Sequence, residues 1–99
     1  MAKERHGHYA NGTRTPTYNS WRAMKARCYQ VNHMKYPTYG GAGVKVSDEW
    51  VNSFVKFLED MGVRPKGKTL DRINPKGNYC KENCRWASSE MQARNRRKP

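Results

Sequence analysis

The sequence predicts a small α+β domain, and three observations predict it. Two stretches in the first two thirds of the chain repeat apolar side chains at helical spacing. The last third alternates like a strand, turns, alternates again and then changes to a run of helix formers. The whole has 99 residues, the size of one domain. The expected organisation is a basic arm over residues 1–14 and one domain over residues 15–97. That domain holds two helices followed by a strand–strand–helix unit over residues 68–97.

The arm, MAKERHGHYANGTR, is polar and basic, shows no period and is expected to be mobile in isolation, with Lys3, Arg5 and Arg14 available to phosphates. His6 and His8 stand one residue apart without further ligand types nearby, so a surface segment explains them better than a metal site. Thr15-Pro16 opens the first helix, because Thr caps an amino terminus and Pro at the first turn gives up an N–H with no partner there anyway. Tyr18, Trp21, Met24 and Cys28 then form one apolar stripe, and Arg22, Lys25 and Arg27 line the remainder, available to track phosphates. Residues 30–43 carry no period. Their Tyr39-Gly40-Gly41-Ala42-Gly43 lacks the Lys and Ser/Thr of a phosphate-binding loop, so a tight turn or a close backbone approach is the better account.

Val44-Lys45-Val46 alternates and reads as a short strand. Ser47 or Asp48 then caps a second helix, in which Trp50, Phe54, Phe57, Leu58 and Met61 fall on one face, with Gly62 ending it and Pro65 preventing its continuation. Asp48, Glu49, Glu59 and Asp60 give this element half of the chain's 8 acidic residues, so it is expected to face away from a polyanion.

Thr69-Leu70-Asp71-Arg72-Ile73 alternates polar and apolar side chains and ends at Asn74-Pro75-Lys76-Gly77-Asn78, which is dense in turn formers. Cys84-Arg85-Trp86 is the second strand, Ser88 or Ser89 can cap, and Glu90 to Arg97 contains neither Gly nor Pro. A strand–strand–helix unit with Asp71-Arg72-Ile73 on its first strand and Asn83-Cys84-Arg85-Trp86-Ala87-Ser88 across its second resembles the HNH, or ββα-metal, nucleases. The run Tyr39-Gly40-Gly41-Ala42-Gly43-Val44-Lys45-Val46, followed by Trp50, is similar to a segment of small phage and prophage HNH-type proteins, so the resemblance spans most of residues 15–97.

The resemblance implies a ββα-metal unit in which Asp71 and an amide on the last helix, Gln92 or Asn95, hold Mg²⁺ or Mn²⁺, while Asn83 positions the turn. The chain departs at one position: Arg72 stands where the family has its general-base His. A guanidinium does not accept a proton near neutral pH, so Arg72 can supply only positive charge to a phosphate. Tyr79 is then the implied base, as in a branch of the family that uses Tyr. The metal can also be argued from chemistry alone, since Mg²⁺ takes oxygen ligands and one carboxylate, one amide oxygen and a substrate phosphate form a minimum set.

Composition bears on the partner. The chain has a formal net charge of +12 and 35% hydrophobic residues, with a mean hydropathy of −1.14 and a pI near 10.0. An aromatic core and a polyanionic partner are expected, double-stranded DNA first. The cationic contacts expected are Arg14, Arg22, Lys25, Arg72, Lys76, Arg85, Arg94, Arg96, Arg97 and Lys98. No apolar run approaches the ~20 residues that span a bilayer, and no apolar leader opens the sequence, so a cytoplasmic, DNA-associated protein without a membrane partner is expected. Cys28, Cys80 and Cys84, with His33, offer a structural zinc set, although their spacing suits buried free thiols better.

Two functional expectations follow. One is a metal-dependent DNA endonuclease or nickase of phage or mobile-element type, which would need a homodimer to cut both strands. The other is a catalytically inactive protein on the same scaffold that binds DNA and acts on host nucleic acid or its machinery. Metal-dependent cleavage separates them.

Overall fold

A computed structural model describes residues 9–10 and 13–97, with the side chains of residues 14–94. Lys3, Arg5, His6, His8 and Lys98 lie outside the described residues, as do the side chains of Asn95, Arg96 and Arg97. The chain forms a small α+β domain. Its elements are β1 (Tyr9–Ala10), β2 (Thr13–Arg14), α1 (Pro16–Tyr29), α2 (Asp48–Val51), α3 (Phe54–Met61), β3 (Thr69–Arg72), β4 (Cys84–Ala87) and α4 (Ser89–Arg97), with short 3₁₀ turns between them. β1 pairs antiparallel with β2, and β3 pairs antiparallel with β4. Two short stretches of the expected arm, residues 9–10 and 13–14, are thus paired strands.

α1 begins as its sequence requires. Thr15 is the N-cap, its Oγ1 accepting the Tyr18 N–H at 3.2 Å, and Pro16 occupies the first turn. Trp21, Met24 and Cys28 are buried along its inner face. Thr17 and Ser20 are buried on the same helix, and both oxygens accept from Arg64, through its backbone N–H and its Nη1 respectively. Polar side chains in the interior are thereby satisfied, and the loop after α3 is fastened to α1.

The second predicted helix is two helices. Asn52-Ser53 interrupts the run, and Ser53 starts α3 by accepting the Lys56 N–H at its Oγ. A capping serine offers the backbone a side-chain acceptor that competes with continuation of the helix. The apolar stripe survives the break: Trp50, Phe54 and Phe57 are buried, with Leu58 and Met61 packed against them. Gly62 ends α3 at a φ of 71°, a left-handed value that glycine adopts freely, with its N–H donated to Leu58.

The core is aromatic. Phe54 meets Tyr18 edge-on at 5.0 Å and Trp21 at 5.5 Å, while Phe57 meets Trp50 at 4.9 Å and Trp86 at 6.1 Å. Each of the three indole N–H groups has an acceptor: Trp21 donates to Trp50 O, Trp50 to Asp60 Oδ2 and Trp86 to Met61 O. Amphipathic rings thus stitch α1, α2, α3 and β4 together with little aliphatic material.

Val44-Lys45-Val46 is not a sheet strand. It runs beside Asn78-Tyr79 through one parallel bridge, Val46 to Tyr79, with the Tyr79 N–H donated to Lys45 O and the Ser47 N–H to Tyr79 O. The Gly-rich stretch before it is a close approach. A Cβ on Gly40 would lie 2.1 Å from Cys28 O, so the turn packs its backbone directly on the end of α1.

Candidate functional site

β3 and β4 set the register of the site. Asp71 faces Arg85 across the pair, and Arg72 faces Cys84. Between β3, α1 and the start of α4 lies a cavity of about 490 Å³, open on one side. Asp71, Arg72 and Gln92 all line it, with Tyr79 beside them, so four residues singled out by the sequence come together. Asn83 stands behind it. The Asn83 Oδ1 accepts the Asn74 N–H at 2.8 Å, and its Nδ2 donates to Asn74 O and Asn78 O at 3.1 and 2.9 Å. One side chain therefore holds the turn between the strands at both ends. Gly77 lies in that turn because a Cβ there would stand 2.7 Å from Asn83 Nδ2.

The turn in its place directs Arg72. Gly77 O accepts from Arg72 Nη1 at 2.7 Å, and the guanidinium carbon lies 5.0 Å from the Tyr39 ring and 5.1 Å from the Tyr79 ring. A second guanidinium, Arg27 from α1, lies 5.1 and 5.7 Å from the same two rings and donates to Tyr79 Oη at 3.1 Å. The rings are stacked at 6.2 Å and 21°. Cation–π attraction thus holds two like charges on one aromatic pair, where repulsion would otherwise part them. Arg64 adds a third guanidinium to the wall.

Tyr79 is 2% exposed. Burial, opposed by the charge of Arg27, pushes its phenol above the usual value of 10.0. At neutral pH it is protonated, and its oxygen accepts from Arg27. In this arrangement Tyr79 positions Arg27.

Among the described side chains, the donor set does not fit a divalent cation. Asp71, the one carboxylate in the lining, accepts from Arg85 Nε at 3.0 Å. The Gln92 amide nitrogen donates to Thr69 Oγ1 at 2.6 Å and to Ala87 O at 3.1 Å, leaving its Oε1 as acceptor. One paired carboxylate and a few neutral oxygens, set among Arg27, Arg64 and Arg72, give a cation no net negative field. Asn95 lies on α4, but its side chain is outside those described. Among the described residues no three His, Cys, Asp or Glu side chains form a metal-holding group. Cys28 and Cys84 are buried free thiols, and burial pushes Cys84 up to about 12. His33 sits in an exposed turn, its Nδ1 accepting the Lys35 N–H.

The other predicted cations are spread over the surface. Arg14, Arg22, Lys76 and Arg94 are exposed; Lys25 lies over the Trp21 ring at 4.1 Å; Arg94 stands 4.0 Å from Glu90. None of these lines the cavity. Sequence reasoning read Arg27 only as part of the cationic side of the first helix, and missed its place in this wall and the parts of Arg64 and Tyr39. Asn19, Ala23 and Arg27, spaced four apart and all in the wall, are a small and polar stripe that could have found the first of them. No helix among the described residues is long and apolar enough to cross a membrane. Compared with models of known protein families, with curated proteins and with solved structures, the chain matches none.

Proposed function

We propose that this chain binds nucleic acid by its phosphates, through the arginine-walled cavity, and that it does so without cleaving it. The observation that carries this reading is the pair Arg27 and Arg72 held on the Tyr39–Tyr79 stack. Guanidiniums fixed in place lose little freedom when they engage a phosphate and can do so with two N–H groups at once. The net charge of +12 supplies attraction to the polymer as a whole. The resemblance to HNH proteins makes double-stranded DNA the first polymer to test and a ββα-metal ancestry the account of the last three elements. A catalytic role is less well supplied: the Tyr79 phenol, raised by burial, is protonated at neutral pH, and the one carboxylate in the lining, Asp71, is held by Arg85.

The second reading, a metal-dependent DNA endonuclease of phage or mobile-element type, is favoured by one observation. Asp71, Arg72 and Gln92 line one cavity, with Asn83 clamping the turn behind them, in the order the resemblance implies. A plasmid-nicking assay with Mg²⁺, Mn²⁺ or EDTA, run beside a binding assay on the same DNA, decides between them. Binding that weakens steeply with salt and no cleavage with either metal is expected. Metal-dependent nicking lost in Asp71→Ala overturns the non-catalytic reading.

A further inference from the structure

We infer that the cavity takes a phosphomonoester, the dianionic phosphate at the end of a nucleic-acid strand, in preference to a phosphodiester within the duplex. This rests on the nucleic-acid reading and narrows it. The first ground is depth. Arg27 and Arg72 are half-buried, and the Tyr79 ring on which both rest is buried. A duplex whose major groove alone is about 12 Å wide cannot enter a space of about 490 Å³. A terminal phosphate with its nucleoside can, since pockets of roughly this volume hold small organic ligands.

The second ground is charge. The wall carries Arg27, Arg64 and Arg72, and its carboxylate, Asp71, is already neutralised by Arg85 outside the lining set. A diester brings one negative charge, whereas a monoester brings about 1.5 to 2 near neutral pH together with three acceptor oxygens. The third ground is donor supply. Arg72 donates to Gly77 O through Nη1 and Arg27 to Tyr79 Oη through Nη2. Each guanidinium keeps further N–H groups for a ligand.

The experiment measures fluorescence anisotropy of the full chain on one short blunt duplex, internally labelled, made with 5′-phosphate, 3′-phosphate or hydroxyl ends. A nucleoside monophosphate serves as competitor. The expected result is at least about tenfold tighter binding of a phosphate-ended duplex than of the hydroxyl-ended one at about 150 mM salt. That preference disappears in Arg72→Gln and in Arg64→Gln. Equal binding of all three duplexes overturns the inference while leaving nucleic-acid binding in place; binding of none overturns the nucleic-acid reading itself. A nucleoside monophosphate that binds as tightly as the phosphate-ended duplex assigns the cavity to free nucleotides and overturns the strand end. A preference that survives both variants, each checked for folding by circular dichroism, removes the cavity as its cause.

Discussion

Asp71 and Arg85 face each other across β3 and β4 and are joined at 3.0 Å, so the carboxylate that a metal site would require is tied to a cation of its own sheet. Both side chains are partly shielded, which makes the pair worth more than an exposed one. Asp71→Ala leaves Arg85 unpartnered at the edge of an already cationic cavity. The expected outcome is a loss of about 1 kcal/mol in urea unfolding. DNA binding is retained or strengthened, since a negative charge leaves the wall. Titrations of both proteins at matched salt check the second half.

Asn83 and Gly77 act on the same set of bonds, and their substitutions are therefore expected not to add. Asn83→Ala removes the hydrogen bonds to Asn74 and Asn78, and Gly77→Ala pushes a methyl against the Asn83 amide. Each is expected to destabilise by about 1 to 2 kcal/mol and to weaken DNA binding, because the turn that holds Arg72 through Gly77 O is released. The double variant is expected to fall well short of the sum in a double-mutant cycle. Full additivity would mean that Asn83 and the turn are independent.

The strand, strand, helix order of the last third was legible in the sequence because each signal was local. Alternation over Thr69–Arg72, the Asn-Pro-Lys-Gly-Asn turn and a serine before α4 need no knowledge of the rest of the chain. The break between α2 and α3 was not legible from hydrophobic spacing alone, since Trp50, Phe54 and Phe57 keep one face across it. Convergence of Asp71, Arg72 and Gln92 could be anticipated only through the resemblance. The Arg27–Tyr79 contact spans 52 residues of sequence, and neither residue announces the other. Whether Asp71 was free or paired depended on the β3–β4 register, which puts Arg85 opposite it, and a slip of one residue would have turned Arg85 to the other face.

At alkaline pH the buried Cys84 thiol is expected to govern stability. Burial raises it from 9.0 to about 12 in the folded chain. The folded state therefore holds this proton more tightly than the unfolded state, so stability is complete below pH 9 and falls as the pH climbs from 9 towards 12. Tyr79, raised from 10.0 by its own burial, acts in the same sense at the upper end. Urea unfolding at a series of pH values above neutrality should show this decline, and Cys84→Ala should flatten its lower part. Labelling of native protein by a thiol reagent should spare Cys84.

At acid pH Asp60 is expected to contribute to the loss of stability. Its Oδ2 accepts the Trp50 indole N–H at 2.8 Å, and its Oδ1 lies 3.4 Å from Lys56 Nζ. The hydrogen bond from Trp50 is the main cause that holds this carboxyl below the usual 3.8, with Lys56 adding to it against the opposing effect of burial. A depressed folded value means that stability is complete above pH 3.8 and is lost as the pH falls through the lower folded value. Asp60→Asn keeps an acceptor for Trp50 but has no proton to bind there. It is therefore expected to be somewhat less stable at neutral pH, where the charge-assisted bonds are missing, and to show a shallower decline below pH 4 than the parent chain. Acid unfolding followed by Trp fluorescence compares the two curves. Parallel acid limbs would show that the carboxyl at the end of α3 carries none of the acid sensitivity.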